Sequence, residues 1–309
     1  MINFRYHVVS LTAVFLALAI GLVVGTAALN GPVADTLKDR VDALSRDNSN
    51  YRDQANQYRD ELNRAQDFAT EVAPALLNGK LADRRILVLV LPGAEDHVDA
   101  VTKILAVAGA KINATVTVQD KFFDAAYQYE LLDLADQSSR PTIPAEGLPN
   151  NSDGVETSSA LLGRALLQGT SPVDTQDLTS VLTAYSEPGY ISVSENPVAG
   201  AEATVIISGL PPVDRDAAKK SQAALTMASQ LSKAKPLVVA GNGIGDGNLV
   251  SAVRADPTLV GEISTVDNVS TEQGQLATAM TVIERVVQDR VGQYGLSAGA
   301  TSLVPKAAS

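Results

Sequence analysis

Cysteine and tryptophan are absent from this 309-residue chain, histidine occurs twice and methionine three times. Without cysteine there are no disulfides, no zinc–thiolate sites and no thiol catalysis. A soft-metal site draws on Cys, Met or clustered His, and no such cluster stands in the sequence, so neither a metal site nor a cofactor is expected. His7 borders an apolar run. His97 lies near Glu95, Asp96 and Asp99, which could hold a divalent ion weakly, although acidic residues at a helix start have a plainer explanation in the helix dipole. Aromatic residues make up only 4% of the chain. Positive charge is also scarce: 24 Lys and Arg face 35 Asp and Glu, a net charge of -11. A nucleic-acid binder needs a basic face, and none is expected here. No Ser/His/Asp order and no paired-carboxylate motif stands out, so the chain does not read as an enzyme.

A long uncharged run is present. From Val8 to Leu29 the sequence VVSLTAVFLALAIGLVVGTAAL carries no charge, and as a helix it reaches about 33 Å, enough to cross a bilayer core. Arg5 and the amino terminus flank its start, which by the positive-inside rule leaves the N-terminus in the cytoplasm and the bulk of the chain outside. A cleaved signal peptide is the competing reading, with Thr26-Ala27-Ala28 as the peptidase site, but its apolar core is normally shorter. Gly21 and Gly25 form a small-xxx-small pair that lets membrane helices approach closely.

The stretch from Leu37 to Val72 has a period of 3.5 residues. Val41, Asn48, Ala55, Leu62 and Ala69 fall at a; Leu37, Leu44, Tyr51, Tyr58, Ala65 and Val72 fall at d. The flanking faces are charged. Pro32 suits the start of this helix, Gly79 suits its end, and Pro74 loosens the last turn. An amide at an a position favours an in-register pair of identical chains, so a parallel homodimer is expected through Gly21, Gly25, Leu37, Val41, Leu44, Asn48, Leu62 and Val72. The alternatives are a helix folded back on its own domain and a third helix in the seam. The alanines expose Tyr51 and Tyr58, which suit a partner helix.

Beyond Lys80 the pattern changes. Ile86–Leu91 is a continuous apolar run stopped by Pro92-Gly93, as in a buried parallel strand. Further strands are read at Ile112–Val118, Tyr190–Val193, Thr204–Ser208, Pro236–Ala240 and Ile263–Val266. Helices are read from Val98 to Ala108, Phe122 to Leu134, Ser158 to Leu167, Leu178 to Tyr185, Asp214 to Ser232 and Ser270 to Tyr294, with a loop over Ser138–Thr157. This alternation predicts an α/β fold with a Rossmann-like, mostly parallel sheet. The expected layout is a cytoplasmic stub and transmembrane helix over 1–30, a coiled-coil stalk over 31–79, an extracytoplasmic α/β domain over 80–295 and a flexible tail over 296–309. The Gly-rich run Gly241–Gly247 follows a strand, but position 246 is Asp where the dinucleotide fingerprint needs Gly. It reads as a tight turn.

The opening MINFRYHVVSLTAVFLALAIGLVVGT, the ISTVDNV segment at Ile263–Val269 and the GQYG at Gly292–Gly295 resemble the MctB family of actinobacterial envelope proteins. The resemblance covers nearly the whole chain. It implies a role in copper transport. A second branch, SteB, is similar in layout and implies pairing with a SteA-like membrane protein and a role in cell division through a cell-wall peptidase. Because one apolar helix makes no pore and soft ligands are missing, the scaffold role is the expected one. Copper transport and an extracytoplasmic small-ligand sensor are the alternatives.

Overall fold

In the computed structural model, residues 4–29, 32–149, 153–243, 245 and 247–306 are described. They fall into two compact units that meet between Arg64 and Ala65.

The first unit is helical. Helix α1 (Phe4–Leu29) carries large apolar side chains all round, with Leu11, Val14, Phe15, Leu16 and Leu18 all exposed. A helix apolar on every face suits lipid rather than a core edge. Its threonines are satisfied internally: Thr12 Oγ1 donates to Val8 O at 2.8 Å and Thr26 Oγ1 to Leu22 O at 2.9 Å. Such back-bonding pairs both threonine hydroxyls within the helix. Helix α2 (Pro32–Leu77) begins in this unit and ends in the second.

The second unit is built on one open sheet of strands β1 (Arg85–Val90), β2 (Lys111–Val118), β3 (Ile191–Val193), β4 (Ala203–Ser208), β5 (Leu237–Gly241), β6 (Ile263–Val266) and β7 (Gln293–Tyr294). The order across the sheet is β3-β2-β1-β4-β5-β6-β7. All neighbours are parallel except β2 and β3. That is a doubly wound order with a reversed edge strand. β1 reads as an unbroken apolar run because both of its faces are covered: Ile86, Val88 and Val90 enter one core, Leu87, Leu89 and Leu91 the other. The first core is closed by the end of α2, α3 (Val98–Val107) and α9 (Glu272–Val287). The second is closed by α4 (Gln128–Gln137), α5 (Gly154–Leu166), α6 (Thr175–Ser186), α7 (Ala217–Ala234) and α8 (Leu249–Ala255).

Several boundaries differ from the sequence-based expectation. The helix read over Phe122–Leu134 is split, because Asp124 accepts from Ala126 N at 2.8 Å and turns the chain before α4 starts. The last helix stops at Val287 rather than running to Tyr294, and Gln293–Tyr294 become a seventh strand beside β6. Nor is the segment after Gly295 loose as far as residue 306. Asp267 Oδ1 accepts from Leu296 N at 2.7 Å, its Oδ2 accepts from Ser297 N at 3.0 Å, and Gly295 N donates to Ser302 O at 3.0 Å.

These contacts explain the two inner segments that carry the family resemblance. Asp267, at the end of β6, is fully buried and pairs with Arg254 at 2.7 Å; that guanidinium also donates to Thr265 Oγ1 and Tyr294 O. Gly295 has φ +124, and a Cβ there would fall 2.1 Å from Asp267 Oδ1. Gln293 Nε2 donates to Ile263 O at 2.9 Å and Val260 O at 3.0 Å. Tyr294 Oη donates to Glu284, which Arg290 neutralises at 2.8 Å. Burial, and then the Glu284 carboxylate, push the Tyr294 hydroxyl up from its ordinary pKa, so it stays a donor. The segments thus lock β7 to β6 with buried charge and amide bonds. Replacing Asp267 with Ala strands Arg254 in the interior and is expected to cost about 3–5 kcal/mol of unfolding free energy. Lys219→Ala removes a surface pair with Asp216 and is expected to change stability by less than about 1 kcal/mol. Denaturant melts of the two variants compare the effects directly.

Candidate functional site: the apolar seam of helix α2

The seam read from the sequence divides into two parts in the structure. Leu37, Val41, Leu44, Tyr51, Tyr58 and Leu62 are all exposed, Leu44 by 68% and Tyr51 by 71%. Asn48 and Ala55 lie exposed between them. From Ala69 onward the same helix is covered. Ala69, Ala73 and Leu77 are buried in a cluster with Ile86, Val88, Val101, Leu105 and Ala279, and Val72 packs partly against it. Val72, expected in a dimer seam, therefore faces the chain's own core. Ala69, Ala73 and Leu77 recur at i, i+4 and i+8, so they share the face of α2 that joins this core.

The open part of the seam is continuous from Leu37 to Leu62. Fully burying each of its aliphatic side chains would contribute roughly 1.5–3 kcal/mol. In proteins most helical stability comes from packing an apolar face rather than from propensity. Its local polar bonds are of the ordinary surface kind: Arg46 Nε donates to Asp42 O at 3.1 Å and Gln57 Nε2 to Glu61 Oε1 at 3.1 Å. Phe68 is also exposed, by 65%. Its position at g, one residue before Ala69, hid it from a reading that followed a and d alone. In α1, nothing lies within 4 Å of the positions where a Cβ would stand on Gly21 and Gly25, so that face too is open to another helix.

Metal ligands do not assemble. Among the described residues no group of three or more His, Cys, Asp or Glu could hold an ion. His97 Nε2 lies 3.3 Å from Asn242 Nδ2, while Glu95, Asp96 and Asp99 are exposed around the start of α3. In the Gly-rich turn, Gly241 closes β5; Asp246, the residue that breaks the dinucleotide spacing, lies outside the described residues.

Comparison with known proteins matches this layout from end to end. A family profile described as "Copper transport outer membrane protein, MctB" covers residues 1–305. The chain belongs to the MctB family. The relative named Copper transporter MctB in Mycobacterium tuberculosis (strain ATCC 25618 / H37Rv) is 30% identical over 313 residues, which cover 98% of this chain and 99% of that protein. The protein of the same name in Mycobacterium leprae (strain TN) is 31% identical over 314 residues, with the same coverage of both chains. The MctB relationship therefore takes in the apolar helix, α2 and the sheet alike.

The two parts of the seam respond differently to mutation. Leu44→Asp with Leu62→Asp is expected to leave folding of the α/β unit within about 0.5 kcal/mol of wild type, because both sites are exposed in the single chain. Ala73→Leu overpacks the core and is expected to cost roughly 1–3 kcal/mol. Thermal melts monitored at the tyrosines, run beside sedimentation, separate loss of association from loss of fold.

Proposed function

We propose that this chain acts in copper transport at the cell envelope as a membrane-anchored, non-enzymatic component of a larger assembly. Relatives named as copper transporters match it along its whole length. The observation that carries the assembly part is the open apolar seam from Leu37 to Leu62. Among the described residues one apolar helix, Phe4–Ala27, is long enough to span a bilayer, and the sheet is open: its order ends at β3 and β7, with Tyr294 of β7 bridged further only to Ser302. Neither makes a closed path through a membrane. A copper route then needs several copies or a partner. In this reading a second copy covers Leu37, Val41, Leu44, Asn48 and Leu62 in parallel, α1 anchors the chain through lipid, the N-terminus lies in the cytoplasm and the α/β unit lies outside it.

A second reading is the scaffold role of the SteB type, with a SteA-like membrane protein and a cell-wall peptidase as partners. It is favoured by the exposure of Tyr51 and Tyr58 on the seam together with the lack of an ion-holding cluster among the described residues. Deletion of the chain distinguishes the two. The copper reading predicts raised cellular copper, corrected by the wild-type chain and not by the Leu44→Asp, Leu62→Asp double variant. Septation defects at unchanged copper would instead establish the scaffold.

A further inference from the structure

From Ala65 onward α2 belongs to the second unit, and two apolar rows run along it one residue apart. Ala69, Ala73 and Leu77 form the row that joins the core. Phe68, Val72 and Leu76 form the other, again at i, i+4 and i+8. The core takes only part of this second row: Val72 packs partly against it, while Phe68 is 65% and Leu76 42% exposed. Asp67 and Glu71 are exposed on the face beyond it.

Three observations bear on what covers the second row. The first is periodicity. Val72 falls at d and Leu76 at the next a, in phase with the seam. A 3.5-residue repeat on a 3.6-residue helix moves round the helix by about 20° per heptad, toward the side on which residue i−1 lies. The seam therefore leaves the row that the core occupies and comes to the row that the core leaves open. The second is charge. Asp47 falls at g and Arg52 at e, opposite charges that face each other across a parallel, in-register pair of the same chain. The third is area. By the size of its apolar side chains the seam from Leu37 to Leu62 offers roughly 600 Å² per chain, the least that a stable pair buries. Phe68 and Leu76 bring the pair to about 1,600 Å² in total, an ordinary interface.

We propose that the second row is a contact between two copies of this chain, so that their interface continues past the seam onto the α/β unit, with Phe68 and Leu76 of each copy packed on the same row of the other. This rests on the parallel pairing of the seam, and the experiment separates the two. The chain has no cysteine, so Leu44→Cys, Phe68→Cys, Leu76→Cys, Asp67→Cys and Glu71→Cys each place a single thiol in the full-length protein for a short bismaleimide in native membranes. Products of twice the chain mass are expected at 44, 68 and 76, and few at 67 and 71. In detergent, Phe68→Glu sets a carboxylate in the contact and is expected to weaken pairing by about tenfold or more in sedimentation, whereas Asp67→Ala changes it by less than about twofold. Phe68 is exposed in the single chain, so the variant keeps its fold, which near-ultraviolet dichroism of the tyrosines checks. Crosslinking at 44 without 68 and 76 overturns the proposal and leaves the seam pairing standing. Crosslinking at 68 and 76 without 44 upholds the contact and removes the seam pairing, and none at all three positions overturns both. Products of another mass at 68 would give the row to a different protein. They too overturn the proposal, as do equal crosslinking at 67 and 68 and undiminished pairing of Phe68→Glu.

Discussion

The apolar stripe of α2 has to be covered along its length, and this chain covers only the end of it. Ala69, Ala73 and Leu77 sit against β1, α3 and α9, while Leu37 to Leu62 face outward. One helix therefore does two jobs. Its last turns are core of the α/β unit, and its earlier turns are a surface that water solvates poorly. The change falls between Leu62 and Ala69, where alanine replaces larger residues and the helix can approach the sheet. The division of the chain between Arg64 and Ala65 falls in the same place.

How much of this is legible in the sequence depends on how local the determining contacts are. The run Ile86–Leu91 is recognisable because a strand covered on both faces has no polar alternation to hide it. The 3.5 period is recognisable because every step of it lies within one helix. What covers the period is not local, so Val72 looked like seam and proved to pack on the chain's own core. Strand β7 is harder still. Val286 and Val287 continue a helical pattern, and only the long-range contacts of Gln293 and Tyr294 with β6 and Glu284 make that segment extended. The order of residues 296–306 rests on Asp267 and Arg254, which are far from them in sequence.

Membership of the MctB family and the physical reading bear on each other. The family segments Ile263–Val269 and Gly292–Gly295 build the β6–β7 edge rather than a reactive site. Copper is the cargo named for the relatives, and the described residues of this chain present no clustered donors to retain it. The part of the molecule left uncovered is the seam from Leu37 to Leu62, and both the proposed copper role and the scaffold reading turn on what covers it.

The absence of cysteine makes the seam directly measurable. Single cysteines introduced by Leu37→Cys, Leu44→Cys, Leu62→Cys, Asp39→Cys and Ala73→Cys are each the only thiol in the chain, and oxidation in native membranes reports which positions meet their counterparts. A parallel pair through the seam predicts chain-to-chain disulfides at 37, 44 and 62, little at 39 and none at 73. Equal crosslinking at 39 and 44, or no crosslinking at the three seam positions, would contradict pairing through this face of α2.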